Sequence, residues 1–285
     1  VTILNNSTAN LGSTSTSETF VNDTGGVINI TDSLARLRGD WSNTNGTINA
    51  LGNSTVEFEG VYSTSDFGTI NRTGTDTLLL QGAHDNTSET FAITAATGDF
   101  VLDGSTITGG TITESGGAKM QFVNNSGNIF RGVTFDSDLA MNVSGGDVRF
   151  QPNGVNSTIT GDIRMVGPNS SFSFEQTGVL NSTIDLDGSG ATFSVGGNNT
   201  LTLGPDAVVN LNAGGADITS GQFVGGNNTV INQGTIIADH TSGVGGVNRE
   251  IDPDLFDNQG TVISRGGGIL DVGDFNTTAL QKLKF

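Results

Sequence analysis

Three pairs of acidic residues have a spacing that is compatible with acid–base catalysis. The two carboxylates of each pair stand at positions i and i+2, and such side chains share one face of an extended strand. Inverting glycosidases hold two carboxylates about 6.5 to 9.5 Å apart, which is close to the separation that this spacing gives. The pairs are Glu57/Glu59, Asp136/Asp138 and Asp185/Asp187. Apart from Arg131, no cationic residue stands near them in the sequence. We therefore expect outward charges that keep the chain soluble, and we predict no enzyme and no catalytic residues.

Two aspartate-rich loops offer oxygen ligands of the kind that Ca²⁺ prefers. Asp252, Asp254 and Asp257 lie in the segment DPDLFDNQG, and Asp185 and Asp187 lie in DLDGSG. Neither loop has the spacing and terminal glutamate of an EF-hand, and neither has the nonapeptide of calcium-binding β-rolls. The sequence therefore predicts no cofactor, and it leaves Ca²⁺ at these loops as the open alternative.

Histidine and cysteine chemistry is nearly absent from this sequence. The two histidines, His84 and His240, are far apart along the chain, so we expect neither a shared zinc site nor a Ser-His-Asp triad and place both on the surface. Cysteine is absent, which excludes a disulfide framework, a thiol nucleophile and a cysteine-ligated metal.

Asn-x-Ser/Thr sequons are frequent, and sixteen of them occur in the chain. Such sequons accept N-linked glycans where they lie on the surface of a secreted protein. Clustering of turn residues also produces sequons by chance, so both readings stay open. The candidates for glycosylation include Asn29, Asn53, Asn71, Asn86, Asn156, Asn181 and Asn227.

Composition and charge limit the classes of partner. The 285 residues include 43 Gly but only 4 Pro, and the apolar 34% recur in short alternating runs rather than at random, which favours strands over disorder. The net charge of −18, with 11 Lys and Arg, opposes binding to phosphate backbones and anionic lipid, so we exclude nucleic acid and membrane surfaces as partners. No apolar run approaches the roughly 18 residues of a membrane span, so we expect no membrane insertion.

A repeated tripeptide indicates how the strands are arranged. Gly-Thr-Ile, Ser-Thr-Ile or Gly-Thr-Val recurs with gaps of 22, 42, 47, 25, 52 and 26 residues between its threonines. Each gap is close to one or two units of about 21 to 26 residues, which is the length of one coil of a parallel β-helix. We therefore predict an all-β, right-handed, single-stranded parallel β-helix of about 12 coils. The threonines are Thr47, Thr69, Thr111, Thr158, Thr183, Thr235 and Thr261.

Three segments follow from this repeat. Residues 1–33 are expected to form an N-terminal segment, a cap or the first coils, and residues 34–272 the parallel β-helix. Residues 273–285 form a C-terminal cap or segment end, where Thr277–Leu283 has helical spacing. Because the chain starts at Val1 without Met, we expect a processed or excised part of a longer protein.

The stretch Gly68–Ile112 resembles a repeat of very large bacterial β-helical surface exoproteins, such as autotransporter passengers and filamentous-haemagglutinin-like adhesins. It opens with GTINRTG and closes with GGTI, and the likeness continues in Asp40–Ala50, Asn125–Phe135 and Ile251–Val262. Phe67 replaces the usual Leu of that pattern. The resemblance implies secretion and a scaffold or adhesive role, and it brings no catalytic motif.

We therefore expect an extracellular structural or adhesive protein, a scaffold or fibre-forming subunit of a cell surface. Open ends of a solenoid expose unpaired strand edges, so its expected partners are copies of itself joined end to end, other surface proteins, and glycans. A polysaccharide-binding or polysaccharide-cleaving β-helix is the alternative.

Overall fold

A computed structural model describes residues 1–15, 19–239, 248–267 and 269–273. The helix predicted over Thr277–Leu283 lies outside these residues. Contacts divide the chain into two compact units. The first unit comprises Val1–Gln121 and Gly127–Thr134, and the second comprises Phe122–Ser126 and Phe135–Phe285.

Short strands dominate both units. A 3-10 helix at Thr64–Phe67 is the one helical element among the described residues, and no helix in that part of the chain is long and apolar enough to cross a membrane. The strands up to Arg131 are β1 (Thr2–Leu4), β2 (Thr8–Gly12), β3 (Thr19–Val21), β4 (Val27–Thr31), β5 (Leu34–Arg38), β6 (Asp40–Ser42), β7 (Thr47–Gly52), β8 (Thr55–Phe58), β9 (Val61–Ser63), β10 (Thr69–Gly74), β11 (Thr77–Asp85), β12 (Thr90–Ile93), β13 (Phe100–Thr108), β14 (Thr111–Glu114), β15 (Met120–Phe122) and β16 (Ile129–Arg131).

The remaining strands are two to five residues long. They are β17 (Thr134–Asp136), β18 (Leu139–Met141), β19 (Asp147–Gln151), β20 (Thr158–Ile159), β21 (Ile163–Met165), β22 (Ser171–Phe174), β23 (Gly178–Leu180), β24 (Thr183–Leu186), β25 (Thr192–Val195), β26 (Thr200–Leu203), β27 (Val208–Leu211), β28 (Asp217–Ser220), β29 (Thr229–Asn232), β30 (Thr235–Asp239), β31 (Arg249–Asp252), β32 (Leu255–Asn258), β33 (Thr261–Arg265) and β34 (Leu270–Val272).

In the first unit, strands from successive coils stack in parallel. One ladder runs β2-β5-β8-β11-β13-β16, a second runs β1-β4-β7-β10, and β12 pairs with β14. Non-consecutive strands pair because the chain completes about one coil before it returns to the same ladder. The strands begin at Thr2, within the predicted N-terminal segment.

The second unit has the same construction, with three ladders. They run β19-β22-β25-β28-β31-β34, β18-β21-β24-β27-β30-β33 and β23-β26-β29-β32. The predicted parallel β-helix is thus confirmed. Coil length varies more than predicted: Ser171 pairs with Thr192, 21 residues on, whereas Asp217 pairs with Glu250, 33 residues on.

The repeated threonines have a common structural position. All seven are the first residue of a strand. Thr47 pairs with Thr69, and Thr235 pairs with Thr261, each one coil apart. The seven strands belong to three different sheets, so the tripeptides mark strand starts rather than a single column of equivalent corners.

The core forms because alternate residues of each strand point inward and stack on their counterparts. Val148, Phe172 and Phe193 occupy one such column. The ring centroid of Phe172 lies 5.5 Å from that of Phe193 and 5.0 Å from that of Phe150 in the adjacent column. All four side chains are buried. Burial of each large apolar side chain contributes about 1.5–3 kcal/mol, and repetition along the stack compensates for the thin cross-section.

A column of glycines holds one corner of the first unit. Gly39, Gly60 and Gly82 all have positive φ, at 74°, 84° and 87°, and they are linked by Val61 N–H to Gly39 O at 2.9 Å and Ala83 N–H to Gly60 O at 2.7 Å. A Cβ at Gly60 would collide with the carbonyl oxygen of Gly39. This corner therefore requires glycine both for its φ angle and for its close packing.

We predict that Gly60→Ala destabilises the protein by more than about 3 kcal/mol, because the steric overlap adds to roughly 1–2 kcal/mol of left-handed strain. Gly25→Ala is the matched control, since Gly25 also has a positive φ of 77° but an added Cβ there meets nothing within 4 Å. It should cost only the strain. Urea unfolding measures both, and equal losses for the two variants would contradict this account of the corner.

Candidate functional site

The carboxylates of Glu57 and Glu59 are paired with arginines from the preceding coil. Arg36 Nε bonds to Glu57 Oε2, and Arg38 Nε lies 2.9 Å from Glu59 Oε2. The expectation that no cationic group lies near this pair was wrong, because the partners are 21 residues away in sequence but adjacent in the ladder. These partly exposed ion pairs contribute at most about 1 kcal/mol each, and they engage the carboxylates that catalysis would need.

The pair Asp185 and Asp187 is likewise bonded across coils. Asp185 accepts a hydrogen bond from Asn210 Nδ2 at 2.7 Å. Asp187 accepts from Asn212 Nδ2 and from Arg164 Nε, each at 2.8 Å. These carboxylates therefore hold neighbouring coils together by hydrogen bonds.

The third pair follows the same rule. Asp136 Oδ1 accepts from Thr160 Oγ1 at 2.6 Å, and Asp138 Oδ1 accepts from the backbone N–H of Asp162 at 3.0 Å. All three pairs are therefore bonded to side chains or backbone of a neighbouring coil, and the absence of enzymatic activity stays a prediction.

The other calcium candidate, the loop with Asp252, Asp254 and Asp257, has its carboxylates bonded to different partners. Asp254 Oδ2 accepts from the backbone N–H of Asn228 at 2.8 Å, and Asp257 Oδ2 accepts from Gln259 Nε2 at 2.9 Å. Asp252 lies on β31, opposite Thr219. Among the described residues, no three histidine or acidic side chains are grouped closely enough to hold a metal ion. The geometry gives no support to a Ca²⁺ site, which stays a prediction.

His84 lies in the core, so its predicted surface position was wrong. The side chain is 1% exposed and packs between Tyr62 and Phe91, with ring centroids 5.1 and 5.0 Å away. His240 lies outside the described residues. The aromatic cluster around His84 comes from neighbouring coils, which the local sequence does not show.

The hydrogen bonds around His84 define its tautomer. Thr64 Oγ1 donates its single proton to Asn86 Oδ1 at 2.6 Å, so His84 Nε2, 2.8 Å from Thr64 Oγ1, must be the donor to that hydroxyl. His84 Nδ1 then carries no proton, and it is buried without a partner. Burial lowers the pKa of His84 to about 3, against smaller opposing effects of Asp85 and Asp66.

One glycosylation candidate is excluded by its position in the fold. Asn86 is fully buried, and its Nδ2 donates to the carbonyl oxygens of Gly109 and Thr111 at 3.2 and 3.1 Å. A glycan at Asn86 would have to displace these bonds, so the inclusion of this sequon was wrong for the folded chain.

The other sequon asparagines differ in whether their side-chain amides are hydrogen-bonded. Asn29 and Asn71 flank Asn49 in a side-chain ladder, with Nδ2 to Oδ1 distances of 2.7 and 2.9 Å. Asn53 accepts from Thr75 Oγ1, and Asn156 Nδ2 donates to Thr177 O at 2.7 Å.

Asn181 and Asn227 are exposed. Neither side-chain amide makes a hydrogen bond within the part of the chain that the structure describes. Glycosylation stays a prediction, and at these two exposed positions a glycan would displace no side-chain hydrogen bond of the described residues.

A buried polar cluster in the second unit was not anticipated. Arg149 Nε and Nη2 bond to Glu175 Oε1 and Oε2 at 2.7 and 2.8 Å, and Ser173 Oγ donates to Glu175 Oε1 at 3.1 Å. The arginine also lies 5.3 Å from the ring centre of Phe223. Ser173 is fully buried, although it alternates with phenylalanines in β22.

The residues between β28 and β29 contribute to this burial. Phe223 and Val224 both belong to that connection, and Gly197 N–H donates to Val224 O at 3.2 Å. The connection therefore lies against the outward side of strands β19 and β25. Because it comes from a later coil, the alternation of Ser and Phe in β22 carries no sign of it.

A cleft of about 320 Å³ opens beside this cluster, between β20 and β23. The two strands lie in neighbouring coils but belong to different sheets, because β20 is the last strand of one sheet and β23 the first of the next. The walls of the cleft are not joined by a ladder of hydrogen bonds. Its lining includes Asn156, Asp162, Asn181 and Ser182.

Comparison with known proteins does not assign the chain to a family. No family model and no curated protein matches the chain. One solved structure, a crystal structure of the TibC-catalysed, hyper-glycosylated TibA fragment, aligns over 93% of this chain and 91% of that chain, with 13% identity and a TM-score of 0.31. A TM-score of this size is too low to define a shared fold, so the assignment to the parallel β-helix class rests on the ladders themselves.

We predict that stability falls by about 2–4 kcal/mol between pH 7 and pH 3.5 through His84 alone. Its folded pKa lies below its unfolded value, so the unfolded chain binds a proton in this range and the folded chain does not. Urea unfolding of the protein and of His84→Phe across this range measures the effect as the difference between two curves. Parallel curves for the two proteins would contradict it.

Asp217 should have the opposite pH dependence. Burial, with Glu250 and Asp252 nearby, raises the pKa of Asp217 to about 6, so its ionised form is disfavoured in the folded state. Asp217→Asn should stabilise the protein by on the order of 1–3 kcal/mol at pH 7.5 and by almost nothing at pH 3.5, where the carboxyl is protonated in both states. The exposed Asp206→Asn is the control, and a gain that is independent of pH would refute the assignment.

Proposed function

We propose that the chain is an extracellular structural or adhesive β-helix, acting as a scaffold or fibre-forming subunit of a cell surface. The observation that supports this role best is the use of polar side chains on the outer faces. Arg36, Asn49 and Asp185 each bond to a side chain in a neighbouring coil. Such bonds tie coils together without assembling a reactive centre.

The backbone supports the same proposal. In a parallel ladder every coil is hydrogen-bonded to the coils before and after it, so bending or stretching a unit must disrupt many bonds at once. This gives stiffness from short polar sequence and a modest apolar core. A stiff support with a polar surface suits a protein that presents contacts at a distance from the cell.

The charge distribution limits what the outer surface can contact. Five of the described arginines are ion-paired with carboxylates, in the pairs Arg36–Glu57, Arg38–Glu59, Arg149–Glu175, Arg164–Asp187 and Arg265–Asp239, together with a second contact from Arg36 to Glu59. The acidic excess therefore remains on the surface, which favours neutral or cationic partners over anionic ones.

Electron microscopy of the purified chain tests the fibre-forming role. We expect particles that join end to end as concentration rises, because exposed strand edges pair with other chains, and sedimentation velocity should show the same shift. Display of the chain on a non-adherent bacterial host tests the adhesive role, with a globular domain of similar size as control. Single particles at every concentration together with no gain in adhesion would overturn the proposal.

A further inference from the structure

The cleft between Thr158–Ile159 and Gly178–Leu180 lies where the pairing of strands from successive coils is interrupted. Next to it, the same two coils are held together at Asn156 and Thr177, where Asn156 Nδ2 donates to Thr177 O at 2.7 Å. Beyond this point the coils diverge, because their strands enter different sheets. The result is a wedge-shaped opening of about 320 Å³.

A buried amide fixes the closed end of the wedge. Gln176, 1% exposed, accepts the backbone N–H of Ser157 on Oε1 at 2.8 Å and donates from Nε2 to Ser157 O at 2.5 Å. This side chain takes the place of a backbone partner in the ladder. Because both of its bonds are buried, the walls are held in position before any ligand arrives, which reduces the cost of binding.

The mouth of the wedge carries polar groups that the ladder does not use. Asn181 and Ser182 have no side-chain hydrogen bond within the described part of the chain. Asp162 uses Oδ1 to accept the backbone N–H of Thr183 at 2.9 Å, which leaves its other oxygen available. Amide, hydroxyl and carboxylate together supply both donors and acceptors.

The lining also includes the apolar side chains of Phe174, Val179 and Leu180 beside the polar groups. No lysine, arginine or histidine is among the described residues that line the cleft, and Asp162 is its one charged side chain. A ligand that suits this surface is uncharged, has several hydroxyl groups and has an apolar face. An anionic ligand would meet a carboxylate with no cation to compensate.

We infer that this cleft is a binding site for a neutral saccharide residue. Its volume lies at the lower end of small-molecule pockets, which span roughly 300–1,000 Å³, and is enough for one or two sugar rings. Ring hydroxyls would bond to Asn181, Ser182 and Asp162, and the C–H face would lie on the apolar wall. The inference goes beyond the scaffold role, because a saccharide site would exist whether or not the chain forms fibres.

The test uses the full chain, produced in a host that does not glycosylate proteins so that Asn156 and Asn181 stay unmodified. Saturation-transfer NMR and isothermal titration are run with D-glucose, D-galactose, D-mannose, N-acetyl-D-glucosamine and their β-linked disaccharides. D-glucuronate is the anionic comparison, and a lysine-containing pentapeptide tests a cationic peptide as the occupant. We expect at least one neutral sugar to bind and glucuronate to bind at least ten-fold more weakly.

Two variants locate the binding. The double change Asn181→Ala with Ser182→Ala removes the unused donors and acceptors and should weaken binding at least ten-fold. Asp162→Asn keeps an oxygen for the Thr183 N–H, so it should fold normally, and it should reduce the preference for the neutral sugar over glucuronate.

Asn227→Ala is the matched control for these variants. Asn227 is another exposed sequon asparagine with no side-chain hydrogen bond in the described residues, and its loss should leave affinity unchanged. Thermal unfolding of each variant shows whether the fold is intact.

The outcomes separate cleanly. Binding of a neutral sugar that is lost in the double variant and kept in Asn227→Ala supports the site. Three results overturn the site. They are the absence of binding by every sugar in the panel at concentrations up to about 20 mM, binding that survives in both cleft variants, and binding of the peptide in place of sugar. None of these results depends on fibre formation, so the scaffold proposal is judged separately by microscopy.

Discussion

The parallel backbone ladder between successive coils is the interaction on which the other features depend. Each strand is hydrogen-bonded to strands about one coil away, so the surroundings of a residue are determined by its counterparts in the neighbouring coils. Like therefore stacks on like. Phe172 stacks on Phe193 inside, glycines form a column at a corner, and asparagines form a column outside. A residue that packs badly therefore disturbs its counterparts in both neighbouring coils, whereas one that packs well is stabilised by both.

The same register organises the charges. The few arginines are placed opposite carboxylates one coil away, so that partly buried acids such as Glu175 gain bidentate partners. Where no arginine is available, acids stack on acids, as Asp217 does on Glu250. The pKa of Asp217 then rises, because burial and like charges both oppose ionisation. The acidic composition thus has a local cost at columns that lack a cation.

Much of the fold could be predicted from the sequence, because strand chemistry is local. Apolar residues recur at alternate positions in Thr192–Val195, Thr200–Leu203 and Val208–Leu211, and these segments are the strands β25, β26 and β27. The burial of His84 and Ser173 could not be predicted in this way. Their surroundings come from other coils, and the offset between paired residues varies along the chain, so a fixed period does not show which residues meet.

The points at which the chain leaves one sheet and enters another could not be predicted from the sequence either. These points explain where a binding site can arise in such a fold. In the first unit the ladder of β10 ends and that of β12 begins, and the space is filled: Arg72 Nη1 donates to the carbonyl oxygens of Thr97 and Asp99 at 3.1 and 2.7 Å. In the second unit, the corresponding change at β20 and β23 has no such side chain, and a cleft remains. A ladder engages most polar groups in holding coils together, so free donors and acceptors collect where the ladder is interrupted. A single long side chain can therefore decide whether such an interruption is filled or remains open as a cleft. Arg72 fills the interruption in the first unit, whereas the one in the second unit remains open.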